Sequence, residues 1–245
     1  MKKNLILLST FFVTLITMAQ NLQVISYQDG QIQHQGEAII VKPGNAGVLI
    51  LPAWMGIDNE ARTAAKDLSQ KGYNVFIADI YGQAATPKTP EDAKRNSSFY
   101  KENYQNYRHK IEIALQEFIK LGANKDKIAV IGYCFGGTGT LEAARANLPF
   151  TGVVSIHGGL KKVDSTYNKI NPKILVVHPA EDQSVSEQDI DLLMAEMRKG
   201  EADWQFIYYA DSKHTFTNPE SKDYNPIMAK RAWQHTLLFL DEVLN

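Results

Sequence analysis

The chain of 245 residues has a single cysteine, a net charge of −1 at pH 7, and no run of basic residues longer than a pair. One thiol cannot form a disulfide within the chain. The near-zero charge and the scattered lysines and arginines argue against nucleic acid or an anionic membrane surface as partner. No repeat, low-complexity tract or linker divides the sequence, so one large domain is expected over residues 20–245.

Motifs for metals, dinucleotides and phosphates are also missing. The six histidines include no pair at i and i+4, so no metal site is expected. Gly136-Gly137-Thr138-Gly139 lacks the glycine order of a dinucleotide-binding loop, and the Gly-Lys-Ser/Thr ending of a phosphate-binding loop is absent. The sequence therefore predicts no cofactor.

The longest apolar run lies at the N-terminus. Lys2 and Lys3 precede an apolar stretch at residues 5–16, and Thr17-Met18-Ala19 places small residues at positions −3 and −1 of a cleavage site. This arrangement predicts a secretory signal peptide at residues 1–19, an exported protein (periplasmic or secreted), and no stable membrane partner after cleavage. A membrane anchor is the alternative, although the stretch is short for a spanning helix.

Strand-like and helix-like segments alternate along the remaining chain. Apolar and alternating runs predict strands at residues 22–27, 37–41, 47–51, 74–78, 127–131, 152–157, 173–178 and 204–209. Helical spacing of apolar residues predicts helices at residues 58–70, 99–121, 138–146, 187–199 and 227–244, with a loop at 81–91. In the last helix the core candidates are Ala232, Leu238, Phe239 and Val243. The pattern predicts an α/β protein with a mostly parallel central sheet and helices on both faces.

The lone cysteine lies in Gly132-Tyr133-Cys134-Phe135-Gly136-Gly137, between a predicted strand and a predicted helix. This is the layout of a nucleophile elbow, with cysteine in the place where serine usually stands. The strained turn requires small flanking residues, which Gly132 and Gly136 supply. It also leaves the thiol near a helix N-terminus, where partial positive charge favours the thiolate. A buried inert thiol and an intermolecular bridge are the other interpretations of a lone cysteine.

A thiol nucleophile needs a base, and the base needs a group that orients it. After an elbow of this kind the expected chain order is nucleophile, acid, histidine. Asp182 follows the strand at 173–178, and His214 lies on the loop after the strand at 204–209, so all three side chains should meet at one edge of the sheet. Alternatives stay open: Asp182 could cap the next helix, although Ser184 or Ser186 fits that position better. Glu181 or Asp211 could be the acid instead, and a loop histidine is often simply solvated.

Two backbone N–H groups are needed to stabilise an oxyanion. The residue after the nucleophile, Phe135, supplies one of them. The loop after the strand at 47–51 supplies the other, and Trp54 is the preferred residue there. Its indole could also form a wall of the substrate pocket or belong to the core.

The chain resembles the dienelactone hydrolase family over most of residues 20–245. Besides the cysteine elbow, the resemblance rests on residues 51–56 (Leu-Pro-Ala-Trp-Met-Gly), 78–82, 155–159, 202–205 and 214–219. It implies an α/β-hydrolase fold and a Cys-Asp-His triad, and it assigns that triad to Cys134, Asp182 and His214.

The sequence departs from the family pattern in the region of the substrate pocket. The resemblance implies a glutamate that helps to activate the thiol, and Ala53 stands in its place. It also implies two arginines that hold a substrate carboxylate, and Gln83 and Asn218 stand in theirs. We take Ala53, Gln83, Tyr133 and Asn218 as candidate pocket residues. Arg108, Arg145 and Lys213 could replace the missing arginines, but no pattern directs them to the pocket.

These features predict a hydrolase that cleaves a small ester or lactone through a thioacyl-enzyme intermediate. Because the carboxylate-binding arginines are replaced, a neutral ester, lactone or thioester is as good a candidate as a dienelactone. The expected partner is a small-molecule substrate, and the sequence indicates no oligomeric state. Two alternatives remain: an exported non-hydrolytic protein with a redox-sensing thiol, and an acyltransferase or thioesterase on the same fold.

Overall fold

The computed structural model describes residues 21–162 and 168–245. The predicted signal peptide, residues 1–19, lies outside the described residues. Among the helices in those two ranges, none is both long enough and apolar enough to cross a membrane.

Eight strands form one sheet in the described part of the chain. They are β1 (Gln23–Asp29), β2 (Ile32–Ile39), β3 (Gly47–Leu51), β4 (Asn74–Ile77), β5 (Ile128–Tyr133), β6 (Gly152–Ile156), β7 (Lys173–Pro179) and β8 (Trp204–Tyr209). Their order in the sheet is β1-β2-β4-β3-β5-β6-β7-β8. β2 pairs antiparallel with both β1 and β4, and every other neighbouring pair is parallel. The central strands β3 to β6 are buried throughout, as expected for a sheet covered on both faces.

Within the described ranges, six α-helices cover this sheet: α1 (Asn59–Gln70), α2 (Pro90–Glu102), α3 (Tyr104–Lys120), α4 (Phe135–Arg145), α5 (Glu187–Lys199) and α6 (Pro226–Leu244). One core cluster packs α2 to α5 against one face, with Tyr107, Leu141 and Ile190 among its members. A second cluster packs α1 and α6 against the other face, with Leu68 and Leu240. The predicted α/β architecture, with a mostly parallel sheet between two helical layers, is confirmed.

Polar side chains determine where several helices begin. Asp58, Thr89 and Asn225 accept hydrogen bonds from N–H groups in the first turns of α1, α2 and α6. Ser186 and Asp189 form a reciprocal capping box at the start of α5.

Three predicted segments differ from the structure. The predicted helix at 99–121 is two helices, because the Asn103 side chain donates to the carbonyl of Phe99 at 2.8 Å and ends α2. The predicted loop at 81–91 contains a short 3₁₀ turn, Gln83–Ala85, and the start of α2. β2 begins at Ile32 rather than at residue 37, since one face of its first half is exposed and carries polar residues that hide the strand pattern.

One core prediction in the last helix is wrong. Leu238 is 69% exposed, whereas Ala232, Thr236, Leu240 and Leu244 form the buried stripe at intervals of four residues. Phe239 and Val243 are partly buried and pack beside that stripe. Successive residues of an α-helix are rotated by about 100° around its axis. Leu238 is two positions from both Thr236 and Leu240, so it lies on the opposite side of α6 from the buried stripe.

Candidate active site

Cys134 occupies the turn between β5 and α4, at the carboxyl edge of the parallel sheet. Its φ of 52° and ψ of −111° lie outside the ordinary strand and helix regions. Its N–H donates to the carbonyl of Ile156 in the neighbouring strand at 3.0 Å. The strained residue is therefore held by the adjacent β6, and its side chain is left partly exposed.

Close backbone contacts explain the glycines on either side of Cys134. A Cβ on Gly132 would collide with the carbonyl of Gly136, and a Cβ on Gly136 would collide with the carbonyl of Leu51. The helix thus passes too close to β3 and to its own incoming strand for any side chain at these positions.

Three side chains from separate segments meet at this edge. His214 Nε2 lies 3.1 Å from Cys134 Sγ, and His214 Nδ1 lies 2.7 Å from Asp182 Oδ2. Asp182 follows β7, and His214 lies on the loop after β8. The structure therefore brings together the three residues that sequence order selected, in the geometry of nucleophile, base and orienting carboxylate.

Electrostatics within this group favour a charged histidine. Burial opposes the imidazolium, but the hydrogen bonds to Asp182 and Cys134 outweigh it and raise the pKa of His214 to about 10. Burial likewise opposes the Asp182 carboxylate, yet hydrogen bonds from His214 and Ser184 lower its pKa to about 2. Asp182 is thus ionised at neutral pH and orients a histidine that readily holds a proton.

The alternative roles of Asp182 do not fit its contacts. Its Oδ1 accepts hydrogen bonds from the backbone N–H and the hydroxyl of Ser184, at 2.9 and 2.6 Å, while Ser186 caps α5. Sequence reasoning considered Ser184 only as a helix cap. In the structure its hydroxyl donates to Asp182 and lies 3.2 Å from His214 Nδ1, so it supports the orienting carboxylate.

The two oxyanion candidates both lie beside the elbow. Phe135 is the first residue of α4, so its N–H has no acceptor within the helix. Trp54 lies on the loop after β3, and its carbonyl accepts a hydrogen bond from the Tyr81 hydroxyl at 2.9 Å. This bond fixes the loop next to the elbow, because the Tyr81 ring in turn stacks on Phe135. The Trp54 side chain is 37% exposed and is not part of the core.

The four candidate pocket residues are not brought into one pocket. Tyr133 and Asn218 line a cavity of about 520 Å³ between α1, α6 and the loop after His214. Ala53 and Gln83 do not line this cavity: Ala53 lies on the loop before Trp54, and Gln83 is exposed at the start of the 3₁₀ turn. The Tyr133 side chain belongs to the α1 and α6 face of the sheet, since it points away from the opposite core cluster.

The three cations that could replace the missing arginines either form ion pairs with other residues or are exposed. Arg145 is buried between Glu142 and Glu196, with ion-pair distances of 2.7 and 2.8 Å. Arg108 pairs with the other oxygen of Glu142 at 2.8 Å. Lys213 is exposed beside His214.

Sequence reasoning missed a polar chain behind the elbow. His157 Nδ1 accepts a hydrogen bond from the Cys134 N–H at 3.1 Å, and His157 Nε2 lies 2.8 Å from the Thr217 hydroxyl. Thr217 donates to Glu60 at 2.6 Å. His157 and Thr217 lie in segments that carried the family resemblance, whereas Glu60 gave no signal because a charged residue in an amphipathic helix is usually exposed.

A larger cavity of about 920 Å³ lies at the opposite, amino edge of the sheet, lined by Ala46, Tyr73 and Lys127 among others. It is remote from Cys134 because the amino and carboxyl ends of parallel strands lie at opposite edges. Within residues 21–162 and 168–245, no group of three His, Cys, Asp or Glu side chains is placed to hold a metal ion.

Comparison with known proteins identifies a family for this chain and several proteins that are similar to it in sequence or in fold. The sequence model of the dienelactone hydrolase family matches residues 37–244. A probable 2-oxo-3-(5-oxofuran-2-ylidene)propanoate lactonase of Bradyrhizobium sp is 24% identical, over 79% of this chain and 82% of its own length. The human carboxymethylenebutenolidase homolog is 23% identical, over 80% of this chain and 81% of its own.

A solved structure shares the whole fold. The crystal structure of a dienelactone hydrolase-like promiscuous phosphotriesterase from metagenomic libraries superposes with a TM-score of 0.86 and 27% identity. The alignment covers 93% of this chain and 100% of that one.

Proposed function

Because this chain belongs to the dienelactone hydrolase family and is a hydrolase of ester or lactone bonds, we propose that it acts through a Cys134-Asp182-His214 triad and a thioacyl-enzyme intermediate. The observation that carries the proposal is the contact of His214 Nε2 with Cys134 Sγ at 3.1 Å, with Asp182 bonded to the other ring nitrogen. A thiol that served only as a redox sensor would not need an oriented base.

The reaction begins with Cys134 and His214 as a thiolate–imidazolium pair, because the raised pKa of His214 favours the proton on Nε2 rather than on Sγ. Asp182 holds the Nδ1–H and stabilises the imidazolium. The thiolate attacks the substrate carbonyl, and the N–H groups of Phe135 and Trp54 stabilise the oxyanion. His214 then protonates the leaving alcohol, or the ring oxygen of a lactone, and the carbonyl stays on sulfur as a thioester.

Deacylation repeats the same steps with water. His214 takes a proton from a water molecule, the hydroxide attacks the thioester carbonyl, and the tetrahedral intermediate collapses. The carbon–sulfur bond breaks, the Cys134 thiolate again faces the protonated His214, and the carboxylic acid leaves. The protein thereby returns to its starting state with one ester bond and one water consumed.

The proposed substrate is a neutral ester or lactone rather than an anionic dienelactone. Arg108 and Arg145 are engaged by Glu142 and Glu196, so neither is available for a substrate carboxylate. The positions that the family resemblance assigns to arginines carry the uncharged side chains of Gln83 and Asn218. We also propose, from the sequence of residues 1–19, that the protein is exported.

The test is turnover of p-nitrophenyl acetate under reducing conditions by the wild type and by Cys134→Ala and His214→Ala. We expect both variants to lose activity by about 10⁴-fold or more. His235→Ala is the matched control, since this histidine lies on α6 and bonds to Tyr209 at 2.7 Å, away from the elbow. It should keep wild-type turnover.

Other outcomes would point to other functions. A single burst without turnover would indicate an acyl-enzyme that waits for an acceptor other than water. Turnover that persists in Cys134→Ala would refute the thioacyl mechanism. A thiol that neither bursts nor reacts with iodoacetamide would refute the nucleophile assignment itself.

A further inference from the structure

A buried histidine lies directly behind the nucleophile. His157 follows β6 with a φ of 40°, a strained value for a residue with a side chain, and only 1% of its surface is exposed. Its Nδ1 accepts the Cys134 N–H at 3.1 Å, and it shares this hydrogen with the Ile156 carbonyl, which lies 3.0 Å from the same nitrogen. Because a backbone N–H can only donate, Nδ1 is unprotonated and Nε2 carries the ring hydrogen. Burial, with a further effect of the charge on His214, lowers the pKa of His157 to about 3, so the ring is neutral at working pH.

That tautomer fixes the direction of the next two hydrogen bonds. His157 Nε2–H donates to Thr217 Oγ1 at 2.8 Å, which leaves the Thr217 hydrogen free to donate to Glu60 Oε1 at 2.6 Å. The chain therefore runs from the Cys134 backbone through a ring and a hydroxyl to a carboxyl group. Hydrogen bonds in such a chain polarise one another. A negative charge on Glu60 at one end therefore makes His157 Nδ1, near the other end, a stronger hydrogen-bond acceptor.

Glu60 can exchange its proton with solvent although it is only 8% exposed, because it lines the 520 Å³ cavity between α1 and α6. Burial raises the pKa of Glu60 to about 7, against a smaller lowering by the Thr217 hydrogen bond. The carboxyl group thus changes charge within the range in which the protein would act.

The charged groups around Glu60 come from several elements. Carboxylates oppose its ionisation: Asp58 precedes α1, and Asp67 and Glu220 line the cavity. Two cations favour the ionised form of Glu60. They are His214, on the loop after β8, and Lys230, which faces the cavity from α6. The phenols of Tyr133 and Tyr224 complete the surroundings.

We propose that His157, Thr217 and Glu60 are positioning residues for Cys134, and that loss of the Glu60 proton raises the reactivity of its thiol. A charged Glu60 makes His157 a stronger acceptor for the Cys134 N–H and so holds the elbow more firmly. The Glu60 carboxylate also stabilises the His214 imidazolium. The interaction is mutual, so its free energy is the same as that by which the imidazolium stabilises the carboxylate. The inference rests on the proposed roles of Cys134 and His214.

The test is alkylation by iodoacetamide between pH 5 and 9, which reports on Cys134 alone because the chain has one cysteine. In the wild type we expect the rate constant to show a step of about three- to tenfold near pH 7. Glu60→Gln keeps an acceptor for Thr217 but cannot ionise, so its profile should lack that step. A merely structural role of Glu60 would change stability but would leave the step in place.

Variants at the middle of the chain give an independent check. Thr217→Val removes the hydroxyl that joins His157 to Glu60 and should abolish the step and slow alkylation at pH 8 by about tenfold. Thr217→Ser restores the hydroxyl and should restore the step. Thr63→Val is the matched control, because Thr63 lines the same cavity and is exposed on α1; it should behave as the wild type.

Superimposable profiles for the wild type and Glu60→Gln would overturn the inference, even if Thr217→Val failed to fold. Alkylation needs no ester substrate, so a step that depends on Glu60 in a protein without esterase activity would refute the proposed hydrolysis and leave the inference standing. Esterase activity in a protein without such a step would refute the inference and leave the proposed hydrolysis standing.

Discussion

The buried carboxyl group of Glu60 should make the stability of this protein depend on pH in a way that one substitution removes. Its pKa is raised by burial from 4.5 to about 7 in the folded state. Between those values the folded chain holds a proton that the unfolded chain has released, so stability is present below pH 4.5 and is lost as pH rises through 7. At 1.36 kcal/mol per pKa unit, the loss is about 3 kcal/mol.

Glu60→Gln places an uncharged amide of nearly the same shape at this position and removes the titration. We expect the free energy of unfolding of the variant, relative to the wild type, to increase by about 3 kcal/mol between pH 4 and pH 8.5. Urea unfolding followed by circular dichroism at several pH values measures this difference. Titrating groups outside this hydrogen-bond chain, such as Asp29 beside Lys110, affect both proteins alike and cancel in the comparison.

Thr63→Val is the matched control. Thr63 lines the same cavity and is exposed on α1, but it carries no ionisable group. The stability of this variant relative to the wild type should therefore change little with pH. If the difference in free energy of unfolding between Glu60→Gln and the wild type were also independent of pH, the Glu60 carboxyl group would not titrate near neutral pH. The reasoning from its burial would then be refuted.

Three further predictions concern Asp182 of the proposed triad, the Ser184 hydroxyl that supports it and the buried ion pairs of Arg145. Asp182→Asn should lower ester turnover by about 10⁴-fold, because the amide cannot stabilise the imidazolium. Ser184→Ala should cost about tenfold in kcat with little change in KM, since one hydrogen bond to Asp182 is lost; an equal rise in KM would contradict this positioning role. Glu196→Gln should destabilise the fold by about 3 kcal/mol or more in thermal or urea unfolding, as it leaves the Arg145 charge buried with one partner fewer; an unchanged midpoint would contradict it.

Much of the candidate site could be predicted from the sequence because each of its parts has a local signature. The elbow needs glycines on both sides of Cys134, and the backbone contacts at Gly132 and Gly136 show why. Parallel strands bring their carboxyl ends to one edge, so chain order was enough to select Asp182 and His214.

The errors arose where the pattern of apolar residues is ambiguous. A continuous helical pattern hides the break at Asn103, which depends on a side chain that competes with the backbone. The rotation of α6 about its axis decides that Leu240 is buried and Leu238 is exposed, and several rotations satisfy the same sequence.

The sequence by itself determined the fold class and the elbow, because these follow from strand direction and from local backbone requirements, and its motifs indicated the family. It also predicted the chain order of the proposed triad, Cys134, Asp182 and His214. Tertiary structure alone decided that Tyr133 and Asn218 face a cavity that Ala53 and Gln83 do not line. It also decided that Ser184 supports Asp182, and that Glu60 is buried and joined through Thr217 to the histidine behind Cys134. Hydrogen bonds between residues as distant in sequence as Glu60 and Thr217 depend on how α1 packs beside the loop after His214, and no local pattern encodes that packing.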